Sequence, residues 1–403
     1  MSGSAADPRF AAARAAPRRR MRLSWSDPGF RNIVLQVLIV GLVAAVIWYL
    51  AFNTNRNLAA RHIATGFAFL YRIAGIPIGE PPIPYDPAVN TYGRALLIGV
   101  LNTLKVSLSG IVLATILGTL IGIGRLSRNW LLAKLTAIYV EVLRDIPVLL
   151  QLLFWYTVLQ GLPAARQSLH LGSFVFLSNR GIRFPVLDWQ PAHSWALLAF
   201  LVGIVGTLGY ARFIRRRQEA TGAARPVWPV ALALLVALPI AVWAALGAPF
   251  ALDKPVLRGF NFSGGATLSP EFFALLVGLV IYTSSYIAEI VRSGIESVSQ
   301  GQWEAAGALG LHRGLVLRKI VLPQALRVMV PPMTSQYLNL TKNSSLAVAI
   351  GYQEIVSIAN TTLNQTGQAI EGVAIIMAVY LTISLSISLF MNWYNARIAL
   401  VER

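Results

Sequence analysis

Long apolar runs separated by short basic stretches dominate the chain. Blocks at residues 33–52, 95–123, 138–162, 194–211, 227–246, 271–292, 335–358 and 372–393 each approach or exceed the ~20 residues a helix needs to cross a bilayer. Their apolar positions are continuous rather than alternating, and backbone groups in hydrocarbon must pair within their own segment, so each block is expected to be helical. The predicted fold is an all-α membrane protein, a bundle of about eight transmembrane helices. Two blocks are unusually polar. Residues 138–162 hold Glu141, Arg144 and Asp145 near their start, and residues 335–358 hold Lys342, Asn343, Ser344 and Ser345. Lys105 stands alone inside an otherwise apolar block, a position that calls for water, a partner subunit or snorkelling.

Composition agrees with the pattern: 56% of residues are hydrophobic and 12% charged, about half the usual charged fraction of a soluble protein. The formal net charge of +18 follows from topology rather than from a nucleic-acid partner. With the N-terminus placed in the cytoplasm, the inside connections carry more than twice as many Lys and Arg as the outside ones. The expectation is a multi-pass protein in the lipid bilayer with both termini cytoplasmic. The first block follows an arginine-rich tail, as a signal peptide would. It is longer than a signal core and no small-x-small cleavage site follows, so it is expected to be a retained span. Cysteine is absent and the four histidines show no ligand spacing, which leaves neither disulfides nor a metal site to expect.

Two domains are expected. Residues 1–94 comprise the basic tail, the first helix and a long outer loop, with an interfacial helix near residues 58–73 and irregular chain at 75–87. Residues 95–403 form the main transmembrane domain, with an inserted helical hairpin at about 163–270 and a cytoplasmic loop at about 293–334. Gly118 and Gly122 form a small-xxx-small pair suited to close helix approach.

That cytoplasmic loop is the most informative segment. Residues 298–309 suit a short alanine-rich helix with a flat face at Ala305, Ala306 and Leu309, and Gly310 suits the left-handed cap that ends one. Residues 311–320 suit a second short helix, which Pro323 is expected to stop. The product is a helix–turn–helix with a small-residue surface that another protein can grip. No G-x-x-x-x-G-K-[ST] phosphate loop, H-E-x-x-H or nucleophile–base set occurs, so the chain is not expected to be an enzyme.

The spacing Glu304-Ala305-Ala306, three residues, Gly310, nine residues, Ile320, one residue, Leu322-Pro323 resembles the EAA motif of ABC importer permeases. Ordinary residue frequencies give such a match a chance on the order of 10⁻⁵ or less. Residues 285–292 leading into Gly301, Gln302, Trp303 and Glu304 are similar to the polar amino-acid subfamily. So is Arg144-Asp145-Ile146-Pro147 followed by Leu150-Gln151, although that subfamily more often has Gly-Thr in place of Asp145-Ile146. Residues 342–347, 350–352 and 364–371, the extra first span and the inserted hairpin resemble the general L-amino acid permeases.

The resemblance implies a type I ABC importer permease fold in the bacterial inner membrane. It implies that Glu304, Ala305, Ala306, Gly310, Ile320, Leu322 and Pro323 form a coupling helix docking on separate ABC ATPase subunits. The chain itself would bind no cofactor; ATP and Mg would sit on the ATPase. The other implied partners are a second, related but different permease subunit and a periplasmic amino-acid-binding protein, with L-amino acids as cargo moved by alternating access. A secondary transporter or channel is the alternative, and it needs no docking hairpin. At ~1.5 Å rise per residue, Tyr282 and Ser285 lie near the midplane, and Lys342, Asn343 and Ser344 approach it from the other side. These five line the expected substrate path, with Glu289 near its cytoplasmic mouth and able to pair with Arg292.

Overall fold

A computed structural model describes residues 28–60, 65–172, 174–222, 225–259 and 261–398. The arginine-rich tail lies outside the described residues, as do residues 61–64 of the expected interfacial helix. The chain divides into two units, residues 1–67 and 68–403. In the first, α1 (Pro28–Ala60) is one continuous helix whose Phe30–Thr54 portion is long and apolar enough to cross a membrane. In place of an interfacial helix at 58–73, the described residues show the end of α1 and a 3₁₀ turn at Phe67–Tyr71.

The second unit is built around a buried helix. Its helices are α2 (Tyr92–Arg125), α3 (Trp130–Asp145), α4 (Val148–Gln160), α5 (Pro191–Thr221), α6 (Trp228–Leu232), α7 (Leu238–Ala245), α8 (Pro270–Glu296), α9 (Gln300–Ala308), α10 (Arg313–Val316), α11 (Leu322–Asn343), α12 (Ile355–Thr366) and α13 (Ala369–Ile398). Leu275, Leu279 and Ile287 of α8 are fully buried. α2 crosses α8 at the paired glycines. A Cβ on Gly118 would stand 2.7 Å from the Ile287 Cβ and 2.8 Å from the Ser284 carbonyl oxygen, and one on Gly122 2.7 Å from the Ala288 carbonyl oxygen. Apolar side chains gain little by leaving lipid for protein, so close backbone approach of this kind, with its dispersion contacts, holds membrane helices together. Elsewhere the unit turns apolar side chains outward, among them Leu201, Val205, Met377, Leu381, Leu385 and Leu389, as a lipid-facing surface requires.

Six described helices or helix runs are long and apolar enough to span a membrane. The other two expected spans are broken. Residues 138–162 divide into α3 and α4 because Pro147 cannot donate a helical hydrogen bond and holds Ile146 in an extended conformation (φ −87°, ψ 123°). Residues 335–358 divide into the end of α11, a 3₁₀ stretch at Ser344–Ile350, a turn at Gly351 and the start of α12. The α6–α7 run is also irregular, with a π turn at Ala233–Ala237 before Pro239.

Within this mostly helical fold, short strands flank the α5–α7 hairpin. β1 (Leu169–Leu171), β2 (Val175–Ser178), β3 (Gly181–Phe184) and β4 (Val186–Leu187) precede it. β5 (Leu252–Asp253), β6 (Val256–Arg258), β7 (Asn261–Ser263) and β8 (Ala266–Leu268) follow it. They form a four-stranded sheet in the order β1-β2-β3-β8 and two ribbons, β4-β5 and β6-β7. β3 pairs antiparallel with β8, setting Arg183 opposite Thr267, and Ser269 then caps the start of α8 through its hydroxyl.

The long loop at 68–91 belongs to this second unit rather than with the first helix. Phe69, Ala74 and Ile76 are buried in one cluster with Ile98 of α2 and Ile355 and Ile358 of α12. Tyr85 ties the loop by donating to the Ile76 carbonyl at 3.0 Å. Burial and the adjacent Asp86 carboxylate push its phenol above the usual range, which keeps it a donor.

Candidate functional site

The hairpin at one end of the bundle carries the seven motif residues. Two residues past the end of α9, Gly310 adopts φ +66°, a left-handed conformation open to glycine without a Cβ clash. The Leu311 amide then reaches back to the Ala306 carbonyl (3.2 Å) and the Gly310 amide to Gly307 (2.9 Å), closing the helix end. α10 opens with His312, whose Nδ1 accepts from the Leu315 amide at 3.3 Å. From there the chain continues helically into α11 and does not stop at Pro323. A π turn at Leu317–Val321 leads into α11, where Pro323 falls in the first turn and its missing N–H is tolerated, and the Gln324 side chain donates to the Ile320 carbonyl at 3.0 Å.

The motif residues divide by direction. Ala306 is 1% exposed and packs in the core cluster with Val298, Val316 and Val321, so it anchors the hairpin and is not part of a flat outer face. Ile320 and Pro323 are half-buried beneath it, whereas Glu304, Ala305, Gly310 and Leu322 are exposed. Leu309 stands out at 77% exposure. A recess of about 420 Å³ beside it is lined by Trp303, Glu304, Gly307, Leu311 and Arg313.

The residues expected along a substrate path are not gathered in one place. Ser285 is fully buried and its hydroxyl turns back to the Tyr282 carbonyl (2.6 Å). Ser344 is equally buried, bonded to the Thr341 carbonyl (2.7 Å) and beside the Tyr380 hydroxyl (3.3 Å). Neither reaches a surface of this chain, because a serine in an apolar helix satisfies itself on the preceding turn. Glu289 is held by Arg292 (2.5 Å) and by Arg125 from the end of α2. Arg292 also bonds Glu296 at 2.5 Å, so the cluster ties α2 to α8 above the hairpin. Tyr282 keeps a partly open face. Its hydroxyl meets that of Tyr286 at 3.2 Å, and the Arg144 guanidinium lies 5.0 Å from the Tyr286 ring centre. Lys342 is exposed and Asn343 half-buried at the end of α11.

The opposite end holds a polar cluster that sequence reasoning missed. Lys105 pairs with Glu80 at 3.1 Å and lies 4.0 Å over the Phe272 ring. Glu80 also accepts from the Ser269 amide at the start of α8. Gln353 clamps the same loop, accepting from the Gly79 amide and donating to the Pro77 carbonyl, both at 2.7 Å. The signal in the sequence was the stranded lysine itself, for which water, a partner subunit or snorkelling was expected; the structure gives it Glu80 instead, to which nothing local pointed.

This bundle, with its capped hairpin carrying the motif at one end, belongs to the permease subunits of binding-protein-dependent ABC transport systems. Residues 225–400 match the family described as "Binding-protein-dependent transport system inner membrane component". Among its relatives, the general L-amino acid transport system permease protein AapQ of Rhizobium johnstonii is 50% identical over 95% of this chain and 96% of that protein. The glutamate/glutamine/aspartate/asparagine transport system permease protein BztB of Rhodobacter capsulatus is 41% identical over 96% of this chain and 98% of that protein.

Proposed function

We propose that this chain forms part of the path by which an ABC importer carries L-amino acids of varied side chain across the bacterial inner membrane, driven by a separate ATPase. The supporting observation is the hairpin at α9–α10. Its cap and its buried Ala306 fix the fold of the loop, and they leave Leu309, Glu304 and Ala305 facing outward with no use inside the subunit. Such a rigid, solvent-facing knob suits docking in a groove on an ATPase subunit that binds ATP and Mg. The two relatives, one named for L-amino acids in general and one for four particular amino acids, support a cargo recognised through its shared α-amino and α-carboxylate groups.

In this reading the hairpin and both termini are cytoplasmic, as the charge bias requires. A second, different permease subunit pairs with this one, and a periplasmic binding protein delivers the amino acid to the end holding Glu80 and Lys105. Of the residues expected to line the path, Tyr282 is retained, joined by Tyr286 and Arg144. Ser285, Ser344 and Glu289 instead hold the helices in place. Vesicles containing the assembled complex and its binding protein are expected to accumulate labelled L-amino acid only when ATP is hydrolysed. ATP-independent uptake by the isolated chain would overturn the reading and favour a secondary transporter or channel.

A further inference from the structure

A cavity of about 380 Å³ opens beside the Glu80–Lys105 pair, inside the range of about 300–1,000 Å³ typical of small-molecule sites. Two of its lining side chains are nearly fully buried and unmatched. Asn102 is 1% exposed; its amide nitrogen donates to the Gln353 carbonyl at 2.8 Å, yet its Oδ1 has no partner. Tyr352 is 3% exposed and its hydroxyl has none either. Polar atoms removed from water are almost always paired, so an acceptor and a hydroxyl left open on one cavity point to a polar occupant.

The charges on the walls say which kind. Glu80 is neutralised by Lys105, so the remaining ionic groups of the lining are Arg183 of β3 and Glu271 of the first turn of α8, one of each sign. Arg183 donates to the Gly264 carbonyl at 3.3 Å and has further N–H groups in its planar fork to offer a carboxylate. Glu271 and the Asn102 Oδ1 are acceptors suited to an ammonium group. We infer that this cavity is a reception subsite for a zwitterionic α-amino acid, with Arg183 taking the carboxylate and Asn102 and Glu271 the ammonium. The Tyr352 hydroxyl bonds the same carboxylate. The side chain of the amino acid is left unread, because the cavity spends its polar groups on the two shared charges. Phe272 supports the wall from behind, its ring centre 5.6 Å from that of Tyr352.

The inference rests on amino acids being the cargo, and the two readings separate in experiment. Binding of labelled L-alanine to the solubilised full chain is measured with alaninamide and propionate as competitors, for the unaltered chain and for Tyr352→Phe and Arg183→Ala. Tyr352→Phe removes only a hydroxyl that no protein group uses, so its fold is retained, and thermal unfolding verifies this. L-alanine is expected to bind, with alaninamide and propionate competing poorly. Each variant is expected to weaken L-alanine binding by at least about tenfold, the loss of one hydrogen bond to a charged group. No L-alanine binding, equal competition by alaninamide, or unchanged affinity in both variants overturns the site. ATP-driven uptake alongside unchanged affinity in both variants removes the site and leaves the transport reading standing. L-alanine binding lost in the variants but no ATP-driven uptake by the complex does the reverse.

Discussion

The two broken spans differ in how their exposed backbone is satisfied. At the α3–α4 break a single nearby residue does the work. The Gln151 amide donates to the Leu143 carbonyl at 2.9 Å and the Ile146 carbonyl at 3.0 Å, covering carbonyls that the end of α3 leaves open. At the break before α12 the repair is tertiary. Glu354, fully buried, accepts the Val356 and Ser357 amides on one oxygen (2.9 and 3.1 Å) and the Tyr380 hydroxyl on the other (3.0 Å). Thr103 of α2 lies 3.3 Å from that second oxygen and itself accepts the Ile355 amide at 3.2 Å. One interruption is a local kink in a helix. The other binds three helices, α2, α12 and α13, through one carboxylate placed where the helix dipole favours it.

The contrast can be broken at either end. Glu354→Ala leaves two backbone amides and the Tyr380 hydroxyl without their carboxylate acceptor in an apolar setting, an expected loss of about 3 kcal/mol or more. Thermal unfolding of the solubilised chain measures it, and an unchanged midpoint would contradict the tertiary role. Gln151→Leu strands two carbonyls, with an expected cost of about 1–3 kcal/mol and less effect than Glu354→Ala in the same assay. If Gln151→Leu proved the more damaging, the local and tertiary labels would have to be exchanged.

The same division explains what the sequence made legible. Apolar block lengths located the helices, because crossing a bilayer imposes a length that few residues can satisfy otherwise. The hairpin was readable because its parts lie within a few residues of one another: an alanine-rich turn, Gly310 for a left-handed cap, and a following short helix. Its continuation past Pro323 was not readable, since a π turn that no residue announces places Pro323 in the first turn of α11, where a proline is tolerated. The break at Pro147 had a visible cause in the proline. The break at 344–354 showed only as the polar run from Lys342 to Ser345, and what stabilises it was hidden, because Glu354 is held by Thr103 and Tyr380, far away along the chain. The Glu80–Lys105 pair and the strands around α5–α7 were hidden for related reasons. The pair joins a loop to a helix, and strands of two to four residues are too short to show an alternating period.

Coupling of this subunit to a separate ATPase through the α9–α10 hairpin comes down to Leu309. Affinity purification of the full complex is compared for the unaltered chain and Leu309→Arg, which puts a charge on a side chain that is 77% exposed and has little to do with the fold of the subunit itself. The ATPase is expected to co-purify with the unaltered chain, and Leu309→Arg is expected to lose it while unfolding at the same temperature. Retention of the ATPase by the variant, with ATP-driven uptake intact, would contradict that coupling.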